Sequence, residues 1–131
     1  MNSDEILLIK RRSTATVWAT TTAFAEEAVR IHEGGHLSDR QIARATGAAP
    51  STVRSWLNGR SAPTGARAER IAELSALVSR LRRVVDADYI PVWMTKPVEA
   101  LDDEKPIDVL ARGEYRRVAA VVRGLEHPGA A

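Results

Sequence analysis

Apolar side chains recur three and four residues apart along most of the chain. In "AFAEEAVRIHE", residues 23–33, Phe24, Ala28 and either Val29 or Ile31 share a face. Val53, Trp56 and Leu57 follow at i, i+3 and i+4. Ile71, Leu74, Val78, Leu81 and Val85 make a longer seam, and Tyr115, Val118 and Val122 close the series. Steps of this size match a helical period, so the pattern predicts an all-α fold.

Capping and breaking residues place the helix ends. Gly34 reads as the C′ cap of the first helix. Ser38, with Gln41 three residues on, spells a capping box, so a second helix starts there and runs through "DRQIARAT". Gly47 supplies a turn, Pro50 opens "PSTVRSWLN" in a first-turn position, and Gly59 with Pro63 ends it. Helix, tight glycine turn and helix make a helix-turn-helix. Ala43 is small where the two helices approach, and Ile42, Val53 and Trp56 are apolar where the pair must pack on the rest of its domain.

Thr64 then caps a breaker-free stretch from Ala66 to Asp86. Farther on, Pro91, Pro97 and Pro106 cut the chain into short pieces. Pro106 opens a helix that Gly113 closes, and Glu114 begins another. The expected organisation is an N-terminal extension (1–14), a helix-turn-helix domain (15–65), a long connecting helix (66–88) and a small helical C-terminal domain (89–131). The connecting seam admits two readings, a coiled coil between subunits or packing within one subunit. Two heptads are fewer than the three or four a coiled coil needs, which favours the second.

Composition narrows the classes. A chain of 131 residues, 44% hydrophobic and 27% charged, suits one or two small domains rather than a large enzyme. With no cysteine there is no disulfide framework, thiolate zinc site or thiol nucleophile. The apolar run "ILLI", Ile6 to Ile9, precedes "KRR" and is too short for a signal or a span, so a cytoplasmic protein without a membrane partner is expected. A net charge of +2 says little, but its distribution says more. From Leu37 to Arg60 stand Arg40, Arg44, Arg54 and Arg60 against Asp39 alone, while Asp102, Asp103 and Glu104 form an acidic block farther on.

Residues 32–36, "HEGGH", spell the H-E-x-x-H of zinc peptidases. That motif needs an unbroken helix to bring both histidines to one face. Gly34 and Gly35 each cost a helix interior about 0.8–1 kcal/mol relative to alanine, and His127 beside Pro128 is a poor third ligand. No catalytic residue, metal or cofactor is therefore assigned.

Nucleic-acid chemistry is better placed. Opposite the apolar stripe of the second helix of the pair lie Ser51, Arg54, Ser55 and Asn58, with no negative charge from Pro50 to Arg60. Arg54 can donate two bonds to a guanine edge and Asn58 can pair with adenine. The hydroxyls of Ser51, Thr52 and Ser55 can meet bases or phosphates. Arg40, Gln41 and Arg60 suit backbone contacts, and the free N–H groups of that helix can hold a phosphate. An ordinary helical hairpin with a solvated face would carry the glutamates and lysines that this stripe lacks.

The stretch "LSDRQIARATGAAPSTVRSWLNGRSAP" resembles the Xre/Cro-type family of helix-turn-helix DNA-binding domains, including its W-L-x-G-x-x-x-P exit. Trp93, Pro97, Leu101, Pro106, Leu110 and Gly113, with "GEYRRV" from Gly113 to Val118, resemble the toxin-binding domain of the MbcA/ParS/Xre antitoxin family. That resemblance implies an antitoxin of a type II toxin–antitoxin pair. Its partner would be a RES-domain toxin that consumes NAD+, its C-terminal region would occlude the toxin's active-site entrance, and its N-terminal domain would repress its own operon. Trp93 and Tyr115, as aromatic anchors, and Arg112, Arg116, Arg117 and Arg123, as donors, are the toxin-binding candidates. The tail, "EHPGAA", departs from the family picture because it offers no large apolar residue.

The expectation is thus a non-enzymatic antitoxin and autorepressor, a homodimer on a two-fold operator. A stand-alone or phage-type repressor is the alternative, and an adaptor that has lost DNA binding is a further one.

Overall fold

Seven α-helices and two short 3-10 turns make up the fold among residues 23–129, the residues described by the computed structural model. The extension 1–14, residues 15–22 and the last two residues of the tail lie outside the described residues. Helix α1 covers 23–34, α2 Asp39–Thr46, α3 Pro50–Leu57, α4 Gly65–Leu81, α5 Ile90–Met94, α6 Pro106–Ala111 and α7 Tyr115–Glu126. The 3-10 turns are Ala87–Tyr89 and Glu99–Leu101. Among the described residues there is no strand, only an isolated antiparallel bridge between Val98 and Glu104. The all-α expectation is met.

The capping box forms as its spelling requires. The Ser38 hydroxyl accepts from the Gln41 N–H and the Gln41 Oε1 accepts from the Ser38 N–H, both at 3.1 Å. Gly47 makes the turn at φ 77°, a left-handed conformation that costs glycine nothing, and Pro50 takes the first turn of α3.

Two helix ends differ from expectation. Helix α1 continues through Gly34, and Gly35, whose N–H donates to Ile31 O at 3.0 Å, is the first residue out. Gly34 is not a left-handed cap; the residue at positive φ is His36, at 55°. Gly35 is needed for space. A Cβ there would sit 2.7 Å from Val78 Cγ1 and 2.9 Å from the Ile31 carbonyl oxygen, so the glycine brings α1 close against α4. Helix α4, in turn, stops at Leu81 instead of reaching Asp86. The chain tightens there into i→i−3 bonds, Arg83 N–H to Arg80 O and Val84 N–H to Leu81 O, and turns back so that Ile90 and Met94 enter the core fully buried.

One apolar core runs through the molecule. Ala28 and Ile31 of α1, Ile42 of α2, Val53 and Trp56 of α3, Met94 of α5, Val109 of α6 and Val118 of α7 belong to a single cluster with the buried face of α4. Ile71, Leu74, Val78 and Leu81 are at most 3% exposed, and Leu77 joins them. At about 1.5–3 kcal/mol for each fully buried aliphatic side chain, this face makes α4 the axis of the fold. The seam therefore packs within its own subunit, and those side chains are not available for a coiled coil. Helix α2 lies between α3 and α6, while α7 packs on α4 and α6.

Candidate nucleic-acid interface and C-terminal binding face

The polar edge of α3 is built by Val53 and Trp56 turning inward, which leaves Ser51 and Arg54 outward at the intervening positions. Thr52 and Ser55 are half-buried. Asn58 caps the helix and is exposed, as are Arg40 on α2 and Arg60 in the turn that follows. Arg40, Ser51, Asn58 and Arg60 carry no side-chain bond among the described residues, so their donors and acceptors face outward free.

The other candidates are engaged. Arg54 Nη1 donates to Asp39 Oδ2 at 2.9 Å, bridging α3 to the first residue of α2. That hydrogen bond holds the Asp39 carboxyl below the usual carboxylate range. Ser55 Oγ lies 2.7 Å from Ser61 Oγ, which closes the turn after α3 instead of leaving a hydroxyl for bases. The Gln41 amide is spent at both ends, since its Oε1 completes the capping box and its Nε2 donates to Pro91 O at 3.1 Å. Gln41 thereby ties α2 to α5. Sequence reading missed these internal partners. Only Asp39 had a signal, being the one acid between Leu37 and Arg60.

The "HEGGH" segment has no metal geometry. His32 Nδ1 lies 2.8 Å from Leu37 O, and His36, carried out of the helix, has Nε2 3.4 Å from Asp88 Oδ1.

Farther along the chain, α6 and α7 meet at a turn where Gly113 has φ 84°. A side chain at that position would collide with Arg70, whose Nη1 donates to Leu110 O at 3.0 Å. Beside this turn, Arg112 pairs with Glu104 at 2.6 Å and Glu114 at 2.9 Å, and Arg117 reaches Glu104, Glu114 and Asp102 at 3.3–3.5 Å. Donation from Arg112 holds the Glu104 carboxyl below its usual range. Asp102 and Glu104 of the acidic block are thus internal partners of two candidate arginines. Asp102 and Asp103 sit at φ 56° and 63°, a region aspartate tolerates better than most residues, and so turn Glu104 toward Arg112.

Arg116 and Arg123 are exposed with no partner among the described residues. Trp93 is 7% exposed and belongs to the core, so it shapes the face without presenting its ring there. Tyr115 is half-buried, lining a small cleft with Arg70, Glu73 and Leu110. Helix α7 is fastened at its end by Arg80, which donates to Glu126 Oε1 from Nε at 3.1 Å and from Nη2. This bond holds the Glu126 carboxyl low and the Arg80 guanidinium high.

Comparison with known proteins agrees with both halves of this picture. A helix-turn-helix family model, HTH_3, matches residues 31–74, which contain α2 and α3. The chain is 31% identical over 86 residues to the mycobacterial cidal antitoxin MbcA of Mycobacterium tuberculosis and of Mycobacterium bovis, covering 66% of this chain and 76% of the relative. It belongs to the MbcA antitoxin family. The fold agrees as well. A chain in the crystal structure of the M. tuberculosis MbcT–MbcA toxin–antitoxin complex superposes with a TM-score of 0.71 at 27% identity, over 82% of this chain and 96% of that one. MbcA is an antitoxin and not an enzyme, so the chain is a non-enzymatic, MbcA-like protein that carries a helix-turn-helix domain. No helix among the described residues is long and apolar enough to cross a membrane.

Proposed function

We propose that this chain is the antitoxin of a toxin–antitoxin pair, binding and neutralising an MbcT-like, RES-domain toxin that consumes NAD+ and repressing its own operon by binding DNA. The observation that carries the first half is the match to the chain from the MbcT–MbcA complex, which covers 82% of this chain and so extends well beyond the helix-turn-helix. The free side chains on the C-terminal face, Arg116 and Arg123, offer donors to the toxin, while the carboxylate-bound Arg112 and Arg117 hold that face in shape. The repressor half rests on Arg40, Ser51, Asn58 and Arg60 free at the outer edge of α2–α3, with Arg54 between them.

Operator binding takes place as a homodimer in the cytoplasm. One recognition helix reaches too few base pairs to stand out in a genome, and two helices spaced about 34–36 Å apart read two half-sites. Coexpression with the open reading frame neighbouring this gene tests the reading. Growth rescue and copurification support it, and a neighbouring toxin that kills despite abundant antitoxin refutes it. For the dimer, light scattering with and without operator DNA decides, and a monomer under both conditions is the refuting result.

A further inference from the structure

We propose that Asp39 is a specificity-determining residue of the nucleic-acid interface: its carboxylate orients Arg54 for a base contact and weakens binding to DNA that offers Arg54 no base partner. This rests on the DNA-binding reading above.

Asp39 is the sole acid from Leu37 to Arg60, and it meets the sole arginine of α3. Both carboxylate oxygens are anchored. Oδ2 accepts from Arg54 Nη1 at 2.9 Å, and Oδ1 accepts from the Arg40 N–H at 2.9 Å. The carboxylate is thereby tied to the first turn of α2 as well as to Arg54. Of the guanidinium, only Nη1 is used. The Nε–Nη2 edge remains, and two parallel N–H donors on one edge are what guanine O6 and N7 accept.

The first turn of α2 favours an acid, but that position does not require the bond to Arg54, and an ion pair between side chains 29% and 56% exposed adds little to fold stability. The placement of the acid has an electrostatic cost instead. A carboxylate on the face that meets a polyanion lies within a Debye length of the phosphates, about 8–10 Å, and subtracts from every complex held by phosphate contacts alone. A complex in which Arg54 reaches a guanine recovers that loss, since the arginine arrives already held by Asp39. The acid therefore lowers non-specific affinity more than specific affinity, and discrimination is the quantity it raises.

The test uses the full chain, a duplex selected by the wild type from a randomised library, and a shuffled duplex of the same composition. In Asp39→Asn, affinity for the shuffled duplex is expected to rise about 3–10-fold with a salt dependence steeper by about one unit. Affinity for the selected duplex should stay unchanged or fall, so the ratio of the two drops about threefold or more, and Asp39→Glu should stay nearer wild type. Circular dichroism melting records the fold of each variant. An unchanged ratio, or equal losses on both duplexes in a folded variant, overturns the proposal. If wild-type selection enriches no sequence, the DNA-binding reading itself fails and this inference falls with it; if it enriches one and Asp39→Asn keeps the ratio, only this inference is wrong.

Discussion

Arg40, Arg54 and Arg60 on the helix-turn-helix edge and Arg112, Arg116, Arg117 and Arg123 on the C-terminal face are the same side chain in two settings. On the first edge the acid supply is one carboxylate, Asp39, and it pairs with one guanidinium, that of Arg54. On the second, Asp102, Glu104 and Glu114 enclose Arg112 and Arg117 in a network of five ion pairs. Charge on the first edge is left largely uncompensated. On the second, half of the charge is consumed in fixing the turns before α6 and α7, and only Arg116 and Arg123 are left over. An arginine count does not say which guanidiniums are free; the number of carboxylates within reach of each does.

The comparison breaks most completely if the two faces are not supported by one core. Leu77→Ala, in the fully buried face of α4, should cost about 2–5 kcal/mol and depress DNA binding and toxin binding together, with a single unfolding transition. Two separate transitions in calorimetry would show two independent domains. A smaller effect is expected at the recognition edge. Arg54→Ala should cost about 1–3 kcal/mol on a preferred site and relax preference at one position, whereas Arg40→Ala should weaken all duplexes alike and flatten the salt slope. Equal, sequence-independent losses for both would sink that division of labour.

On the C-terminal face the same logic separates shape from contact. Arg116→Ala with Arg123→Ala should leave the melting temperature near wild type and weaken the toxin complex, while Arg112→Gln should lower the melting temperature first. The reverse pattern would mean that the networked arginines are the contacts. Acid titration sharpens this further. Glu104 and Glu126 have carboxyls depressed by Arg112 and Arg80, so their stabilisation is complete above their unfolded values, about pH 4.3, and is lost as pH falls through the lower folded values. Melting followed from pH 6 down to pH 3 should show the decline, reduced in Arg80→Gln. The smallest effect is expected at the tail. Truncation after Glu126 keeps the bond to Arg80 and removes only small residues and His127, so the complex should copurify as before. Loss of copurification would move the affinity into the tail.

Much of this was legible without coordinates. The helical period of Val53, Trp56 and Leu57, the Ser38–Gln41 box, Gly47 and Pro50 each act through their neighbours within four residues, and local rules are enough to read them. So are Pro106 and Gly113 around α6. Partners distant in the chain were not legible. Gln41 meets Pro91 fifty residues away, Arg44 meets Asp108 at 2.7 Å across sixty-four, and Arg80 meets Glu126 across forty-six. Whether Gly35 caps a helix or admits Val78, and whether Trp93 faces a partner or the core, depends on what packs against it.

The sequence by itself determined the all-α class, the helix-turn-helix and the family motifs, because periodicity, caps and breakers are short-range properties. Only the tertiary structure decided which polar groups remain free. A side chain's availability is set by the donors and acceptors that folding brings within about 3 Å of it, and those come from anywhere in the chain.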